Sequence, residues 1–385
     1  MPEAVIIDAV RSPLGRRNGA LSDWHPADLA AETLKALSER TGLDPVLVDD
    51  VIMGCVSQSG DQTWNIGRNA VLGAGWPESV PGVTIDRQCG SSQQSVHFAA
   101  QGVMAGAYDV VVAAGVESMS RVPMGSSANG GRPFGERMRS RYQDSLIPQG
   151  LSAEMIAEKW RIGREELDGY GYDSQMRALK ATDEGRFENE IVPIEIKEDG
   201  VVSMVARDEG IRATTTIEGL AGLKPAFKED GVVTAGNSSQ ITDGAAALLI
   251  MSQEKADELG MKPRARFVSF SLVGTDPVSM LTGPIPATEK VLAKAGLDIS
   301  DIDLFEVNEA FAAVVGAWLR ETGADWDKVN VNGGAIALGH PLGASGARLM
   351  TTLLNELERT GGRYGLQTMC EGGGLANGTI VESLA

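Results

Sequence analysis

The stretch VTIDRQCGSSQQSVHFAAQGVM, residues 83–104, places a cysteine between a strand pattern and a helix pattern. Apolar and polar residues alternate at 83–86, as in a strand, whereas residues 91–104 carry apolar side chains at helical spacing. Cys89 is therefore predicted to lie at the start of a helix, where unpaired N–H groups and the helix dipole favour a thiolate. A free cysteine is also commonly a small buried apolar residue, so this stretch alone leaves both roles open.

The order of elements around Cys89 returns later in the chain. Residues 329–332 read as a strand, a glycine-rich turn with His340 follows, and residues 347–357 read as a helix. Two further segments, 26–55 and 108–115, are matched in the same order by 287–309 and 365–370. This period is far longer than that of a solenoid repeat and predicts two similar α/β halves.

Residues 119–240 interrupt this repeat and contain glycine-rich, helical and strand-like stretches of their own. Long insertions with internal structure commonly cover active sites. We therefore expect a first half at residues 1–118 that is completed by residues 241–262, an inserted region at 119–240, and a second half at 263–385.

The composition excludes several classes of function. The chain has 385 residues and a formal net charge of −18, which argues against a general nucleic-acid or anionic-membrane partner. No run reaches the about 18 to 20 apolar residues of a membrane span. The three cysteines lie far apart without CxxC spacing, which predicts neither a disulfide framework nor a metal site and favours a reducing, cytoplasmic setting.

The three histidines differ in their sequence surroundings. His25 precedes a predicted helix and His97 lies within one, so a cap and a core residue are expected. His340 precedes a proline, which holds its backbone extended, and neighbouring glycines permit a close approach of the backbone. His340 is the best candidate for a base, while Cys370 ends a strand before three glycines whose N–H groups are suited to an oxyanion. Two cysteines and a histidine at strand-to-turn junctions indicate covalent catalysis with a separate acid or base.

Four motifs resemble those of the thiolase family. They are QCGSS at 88–92, NEAFA at 308–312, NGGAIALGHPLG at 332–343 and CEGGG at 370–374. They occur in the family's order across nearly the whole chain, and the similarity extends to residues 5–15, 234–239 and 282–287. No GxGxxG or GxxxxGK motif points to a nucleotide-binding loop instead.

The resemblance implies an α/β fold of two βαβαβαββ halves, stacked as α-β-α-β-α layers, with a loop domain inserted in the first half. It implies Cys89 as the acylated nucleophile and His340 as the group that takes the proton of Cys89 or of the coenzyme A thiol. Cys370 would donate or remove the proton at the α-carbon of acetyl-CoA. One oxyanion hole would use His340 with a water held by Asn308, and the other the N–H groups of Cys89 and Gly372.

The same resemblance implies how the substrates and partners are held. Coenzyme A would be a co-substrate rather than a permanently bound cofactor, and the enzyme would assemble as a homodimer or homotetramer. The residues that match the family's coenzyme A contacts are Arg212, Phe227, Ala235, Ser239 and Phe311.

Two departures from the family pattern bear on the substrate and the site. Pro148 and Gln149 stand where short-chain biosynthetic members carry a His-Met pair. The favoured activity is therefore the cleavage of longer 3-ketoacyl-CoA chains, as in fatty-acid β-oxidation, with the Claisen condensation as its reverse. Glu371 stands where a small aliphatic residue is frequent; it would raise the pKa of the adjacent thiol if it faced the site, but we expect it to point outward.

Three alternatives stay open from the sequence. The first is an acetoacetyl-CoA thiolase, a biosynthetic acetyl-CoA acetyltransferase. The second is a condensing enzyme of the β-ketoacyl synthase type, which Cys370 before three glycines disfavours. The third is a non-catalytic acyl-CoA-binding scaffold, which the presence of Cys89, His340, Asn308 and Cys370 disfavours.

Overall fold

The computed structural model of the protein describes residues 2–143, 145–198 and 200–385. The strands are β1 (Ala4–Arg11), β2 (Gly15–Arg16), β3 (Asp50–Gly54), β4 (Val83–Ile85), β5 (Val110–Ser118), β6 (Ile194–Glu198), β7 (Val201–Val205), β8 (Thr242–Ser252), β9 (Ala265–Gly274), β10 (Leu304–Val307), β11 (Tyr364–Glu371) and β12 (Leu375–Ser383). The α-helices are α1 (Pro26–Thr41), α2 (Ile66–Gly73), α3 (Ser91–Met104), α4 (Glu136–Tyr142), α5 (Gln149–Lys159), α6 (Arg164–Asp183), α7 (Ile217–Ala221), α8 (Gln253–Leu259), α9 (Pro284–Ala295), α10 (Ala312–Thr322) and α11 (Ser345–Thr360).

Two groups of strands repeat one order. The first group runs β4-β3-β5-β8-β1, and the second runs β10-β11-β12-β9 with a single bridge from Val329 to Phe305 at its far edge. In each group the strands at the far edge are parallel and the remaining neighbours are antiparallel. The groups meet where Val5 and Ile6 pair with β9. This repetition confirms the predicted duplication.

The first strand group is covered by helices on both faces. Val112 of β5 belongs to a buried cluster that includes Leu34 of α1 and Val71 of α2. The preceding residue, Val111, points to the opposite face and joins Val96 of α3, as the alternation of side chains along a strand requires.

The second strand group is covered in the same manner. Val381 of β12 belongs to the same buried cluster as Val111 and Val96, and this cluster also contains Leu353 of α11. Ile380 faces the other way, towards Val291 of α9 and Trp318 of α10. The helices α3 and α11 therefore form one middle layer between the two strand groups, which is the predicted α-β-α-β-α order.

The predicted strand at residues 329–332 is reduced to the one bridge at Val329. Asn330 takes a left-handed conformation with φ 47°, which ends an extended run. Its side chain instead accepts from the N–H of Val307 at 2.8 Å and donates to the carbonyl of Val307 at 2.8 Å. A side chain thus replaces the backbone pairing that the pattern predicts.

The two remaining histidines have the structural roles expected of them. His25 is the N-cap of α1, where its ring accepts from the N–H of Ala27. His97 is fully buried, with Nε2 2.7 Å from Oγ1 of Thr379.

The inserted region packs against the second half. Ile156 of α5 and Leu167 of α6 share a buried cluster with Phe311, with Val314 of α10 and with Cys370. The strands β6 and β7 form a separate hairpin. In the described ranges, no helix combines the length and the apolar character needed to cross a membrane.

The crossing of α3 and α11 leaves no room for a side chain at Gly346. A methyl group there would lie 2.1 Å from the backbone nitrogen of Gln93. Gly346→Ala is expected to cost about 1–3 kcal/mol of folding free energy, as overpacking of a core does. The midpoint of urea denaturation measures this loss.

The matched control is Gly169→Ala, because Gly169 lies within α6 and a methyl group there meets nothing within 4 Å. This control should be neutral or should stabilise the protein by up to about 1 kcal/mol. Equal midpoints for the two variants would contradict the close helix crossing.

Candidate active site

Cys89 lies on a tight turn that joins β4 to α3. Gln88 before it has a left-handed φ of 50°, and Oγ of Ser91 donates to the carbonyl of Gln88 at 2.6 Å. The same hydroxyl accepts from the N–H of Arg87 at 2.9 Å. These bonds fix the turn, and α3 begins at Ser91, as the sequence predicts.

Burial determines the charge of Cys89. The residue is 5% exposed and packs in a cluster with Met119, Leu342 and Met369. Burial, and next the carboxyl of Glu371, raise the pKa of the Cys89 thiol to about 12, although the backbone N–H groups of Gly372 and Cys89 itself act in the opposite direction. The expectation that the helix start favours a thiolate is therefore wrong for the resting protein, because desolvation outweighs the helix dipole.

His340 is a buried imidazole whose two nitrogens have different partners. Nδ1 lies 2.5 Å from Oγ of Ser345, and that hydroxyl donates to the carbonyl of Pro341 at 2.8 Å. Because the hydroxyl proton is used by Pro341, Nδ1 carries the ring proton and donates it to Ser345. Nε2 is then the free base, 3.3 Å from Nδ2 of Asn308.

The lowered pKa of His340 keeps the ring in its neutral form. Burial, assisted by the positive charge of Arg348, lowers it to about 3. The ring is thus neutral near pH 7 and can accept a proton only as new negative charge develops beside it.

Two side chains that the sequence did not single out hold the His340 loop. Oγ1 of Thr242 accepts from the N–H of His340 at 3.0 Å, and a methyl group at Gly339, where φ is 107°, would lie 2.2 Å from that oxygen. The buried carboxylate of Glu117 accepts from the N–H groups of Gly343 at 2.8 Å and Val56 at 2.9 Å. Only distant parts of the chain meet here, so no local pattern could have revealed these contacts.

Asn308 is buried at the end of β10 and has an unused acceptor. Its N–H donates to the carbonyl of Thr368 at 3.0 Å. Its Oδ1 has no hydrogen-bond partner in the part of the chain that the structure describes. Since buried polar atoms are rarely left unpaired, this oxygen is suited to hold a water next to Nε2 of His340.

Cys370 and Glu371 point to opposite faces of β11. Cys370 is fully buried beside Phe311, and burial together with Cys89 and Glu371 raises its pKa well above the usual value. Glu371 is also fully buried. The expectation that it points outward is wrong, because the face of β11 opposite Cys370 lies under the middle helix layer.

Three of the five predicted coenzyme A contacts lie together. The rings of Phe227 and Phe311 meet edge to face with centroids 5.8 Å apart, and the N–H of Ser239 donates to the carbonyl of Ala310 at 3.0 Å. Arg212 and Ala235 are exposed on the inserted region. Within the described ranges, no set of three or more His, Cys, Asp or Glu residues is arranged to hold a metal ion.

Comparisons with known proteins agree with this geometry. The N-terminal domain of the thiolases matches residues 4–254, and the C-terminal domain of the thiolases matches residues 261–383. The chain belongs to the thiolase family. Like its relatives, this thiolase is an acyltransferase enzyme.

Individual relatives of this thiolase match over their whole lengths. The steroid 3-ketoacyl-CoA thiolase FadA6 of Mycobacterium tuberculosis is 53% identical over 392 residues, which cover 100% of this chain and 95% of that protein. A 3-ketoacyl-CoA thiolase of Aliivibrio fischeri is 45% identical over 389 residues, which cover 99% of this chain and 100% of that protein. The crystal structure of the Bacillus anthracis acetyl-CoA acetyltransferase superposes with a TM-score of 0.92 at 44% identity, covering 100% of this chain and 99% of that one.

Loss of the Ser345 hydroxyl should impair the base. Ser345→Ala removes the partner of Nδ1, so the tautomer with a free Nε2 loses the bond that favours it. A hydrogen bond worth about 1.5 kcal/mol corresponds to a roughly tenfold lower kcat. Steady-state kinetics measure this change.

Ser95→Ala is the matched control, since Ser95 is a buried serine whose hydroxyl bonds a backbone carbonyl at 3.2 Å within α3. Its kcat should stay near that of the unaltered enzyme. A kcat for Ser345→Ala equal to that of the control would contradict the assigned tautomer.

Proposed function

We propose that this thiolase cleaves 3-ketoacyl-CoA with coenzyme A, yielding acetyl-CoA and a shortened acyl-CoA through an acylated Cys89. The observation that carries the proposal is a pair of buried thiols, Cys89 and Cys370, of which Cys89 raises the pKa of Cys370. The loop of the neutral, buried His340 packs Leu342 against Cys89. Carbon–carbon cleavage needs a nucleophile for the ketone and an acid for the departing enolate, and two thiols supply both.

In the first half-reaction, the sulfur of Cys89 attacks the ketone carbon while its proton passes to Nε2 of His340. Because the thiol pKa is about 12 and the imidazole pKa about 3, the transfer has to accompany formation of the carbon–sulfur bond. The N–H groups of Cys89 and Gly372 act on this sulfur and are suited to stabilise the adjacent oxyanion. The bond between the α- and β-carbons then breaks, and the thiol of Cys370 protonates the acetyl-CoA enolate.

The enolate oxygen would be stabilised separately from the first oxyanion. Once His340 is protonated, Nε2 becomes a donor, and the unpartnered Oδ1 of Asn308 supports a water beside it. In the second half-reaction, the proton of the coenzyme A thiol restores Cys370, and coenzyme A attacks the acyl thioester. His340 returns its proton to the departing sulfur of Cys89, which balances the cycle.

We further propose that coenzyme A lies over the inserted region. The apolar contact between Phe227 and Phe311 and the position of Ser239 support a pantetheine path that ends at Cys370, which shares a cluster with Phe311. Arg212 is an exposed cation of the inserted region that is suited to a phosphate, and Ala235 is a small exposed residue of the same region. Coenzyme A thus remains a co-substrate.

We propose a substrate with an acyl group larger than acetoacetyl. Met119, which packs beside Cys89, starts a segment that carries the exposed apolar side chains Met124 and Phe134. The steroid thiolase name of one relative supports a bulky group of this kind. The alternative is the acetoacetyl-CoA reaction, which the acetyl-CoA acetyltransferase name of another relative favours.

The division into residues 1–118 with 241–262, 119–240 and 263–385 stays a prediction, as do the homodimer or homotetramer and the cytoplasmic setting. The placement of β8 between β1 and β5 supports the return of the chain to the first half after the insertion.

Variants of the two thiols should differ in the reactions that they lose. Cys370→Ala lacks the acid for the enolate and should lose thiolysis by about 10²–10⁴-fold. It should keep the exchange of labelled coenzyme A into acyl-CoA, which needs Cys89 and His340 but forms no enolate. Cys89→Ala should lose both reactions, as measured by substrate consumption and by label transfer.

The third cysteine provides the control for these variants. Cys55 is buried and free, and Cys55→Ala should keep both reactions. Full thiolysis by Cys89→Ala, or parallel loss of both reactions in Cys370→Ala, would refute the assigned roles.

A panel of substrates tests the acyl preference. We expect kcat/KM for 3-ketoacyl-CoA esters with long or cyclic acyl groups to exceed that for acetoacetyl-CoA by about tenfold or more, which one or two well-placed apolar groups can supply. A higher kcat/KM for acetoacetyl-CoA, with efficient condensation of acetyl-CoA, would instead establish the acetyltransferase alternative.

A further inference from the structure

Glu371 is a fully buried carboxyl group that the proposed reaction does not use. It ends β11, where it pairs with Leu375 of β12. Its side chain reaches back to the turn of the nucleophile, since a methyl group at Gly90 would lie 2.1 Å from Oε1 of Glu371. The carboxyl group therefore rests directly on the residue that follows Cys89.

Several buried polar atoms around Glu371 lack partners. Neither carboxyl oxygen of Glu371 has a hydrogen-bond donor in suitable geometry among the described residues. In the same ranges, Oδ1 of Asn377 also lacks a donor, and Nε2 of Gln94 lacks an acceptor. The methyl position at Gly90 lies 3.1 Å from Oδ1 of Asn377 and 2.1 Å from Oε1 of Glu371. A fully buried carboxyl group whose two oxygens find no donor favours the neutral, protonated form over the ionised one.

A proton on Glu371 removes the cost of burying a charged carboxylate without donors. A carboxylic acid has one O–H, which the unpartnered Oδ1 of Asn377 can accept. An ionised carboxylate in the same place would be buried without a strong donor, which costs far more than a neutral acid.

The position of Glu371 connects it with the oxyanion hole at Cys89. The peptide that follows Glu371 carries the N–H of Gly372, and the peptide before Gly90 joins it to Cys89, whose N–H is the other donor. The side chain of Glu371 thus spans the two chain segments that carry the two donors. A negative charge here would also oppose the oxyanion that these donors have to stabilise.

We propose that Glu371 is a positioning residue that works as a neutral carboxylic acid, joining the two chain segments that form the oxyanion hole of Cys89 and Gly372. This inference rests on the proposed function for its catalytic consequence, but the protonation of Glu371 is independent of it.

The charged and titratable groups around Glu371 favour its protonated form. Burial raises its pKa well above the usual value, Asp86 raises it further, and Arg87 and the nearby N–H of Asn377 oppose this increase. Burial is the largest cause of the raised pKa values of the Cys89 and Cys370 thiols, and it keeps them neutral beside a neutral Glu371 as well. His97 of α3, whose pKa burial, with Arg87 and Lys294 of α9, lowers to about 3, is neutral as well.

The first test is thermal stability as a function of pH. The unfolded chain ionises Glu371 above about pH 4.3, whereas the folded protein keeps the proton, so the unaltered protein loses stability as the pH rises. Glu371→Gln has no such loss. The Tm of this variant minus the Tm of the unaltered protein should therefore increase steadily from pH 5 to pH 8.

Glu382→Gln is the matched control on the neighbouring strand. Although burial alone would raise it, contacts with Arg363 and Arg266 hold the pKa of Glu382 below its usual value. Its loss should lower the Tm by a nearly constant amount from pH 5 to pH 8. A Tm difference for Glu371→Gln that does not grow with pH would show an ionised Glu371 and overturn the proposal.

The second test is kinetic. Glu371→Gln keeps a neutral hydrogen-bonding side chain and should keep kcat for thiolysis within about threefold. Glu371→Leu cannot bond Asn377 and should lower kcat by about tenfold or more, because a displaced oxyanion donor acts on the transition state. The KM for coenzyme A should stay within about threefold in both variants. If the leucine variant does not fold, Glu371→Met takes its place.

Equal loss of kcat in the glutamine and leucine variants, or full kcat in the leucine variant, would overturn the positioning role. Absence of thiolysis in the unaltered enzyme would refute the proposed function instead, while the Tm measurements would still decide whether Glu371 is neutral.

Discussion

The crossing of α3 and α11 in the middle layer is the constraint on which the site depends. Gly346 allows the backbones to touch at Gln93, and Oγ of Ser92 accepts from the N–H of Ala347 at 2.9 Å. Each helix begins at a reactive loop, since α3 follows Cys89 and α11 follows the loop of His340. The two halves of the chain therefore cannot separate at this point without dismantling the nucleophile and its base together.

Burial then sets the chemistry of this site. It keeps Cys89, Cys370 and His340 in their uncharged forms, so neither thiol nor the imidazole is ionised before the substrate arrives. The proton transfers have to follow charge as it develops on the substrate, and fixed N–H groups are most effective in such a dry place. A protonated Glu371 belongs to the same pattern, because it supplies polar contacts without a competing charge.

Carboxylates that remain deeply buried also connect the motifs. Glu309 accepts from Ser174 of the insertion at 2.6 Å, from Asn330 at 2.9 Å and from the N–H of Ile336 at 3.2 Å. Together with Glu117 it joins the inserted region and both halves around the His340 loop. Removing the partners of such a group would leave an unsatisfied buried carboxyl, so these loops are held more firmly than their glycine content alone indicates.

The sequence by itself determined the duplicated α/β halves, the helix start at Cys89, and the thiol, imidazole and amide groups of the site. Alternation, helical spacing and motif residues are local signals, so they can be read from the sequence without knowledge of tertiary contacts. Only the tertiary structure decided the charge of Cys89, the partner of Nδ1 in His340, the loss of the strand at 329–332 and the inward position of Glu371. These depend on desolvation and on contacts between residues far apart in the chain, which no local pattern encodes.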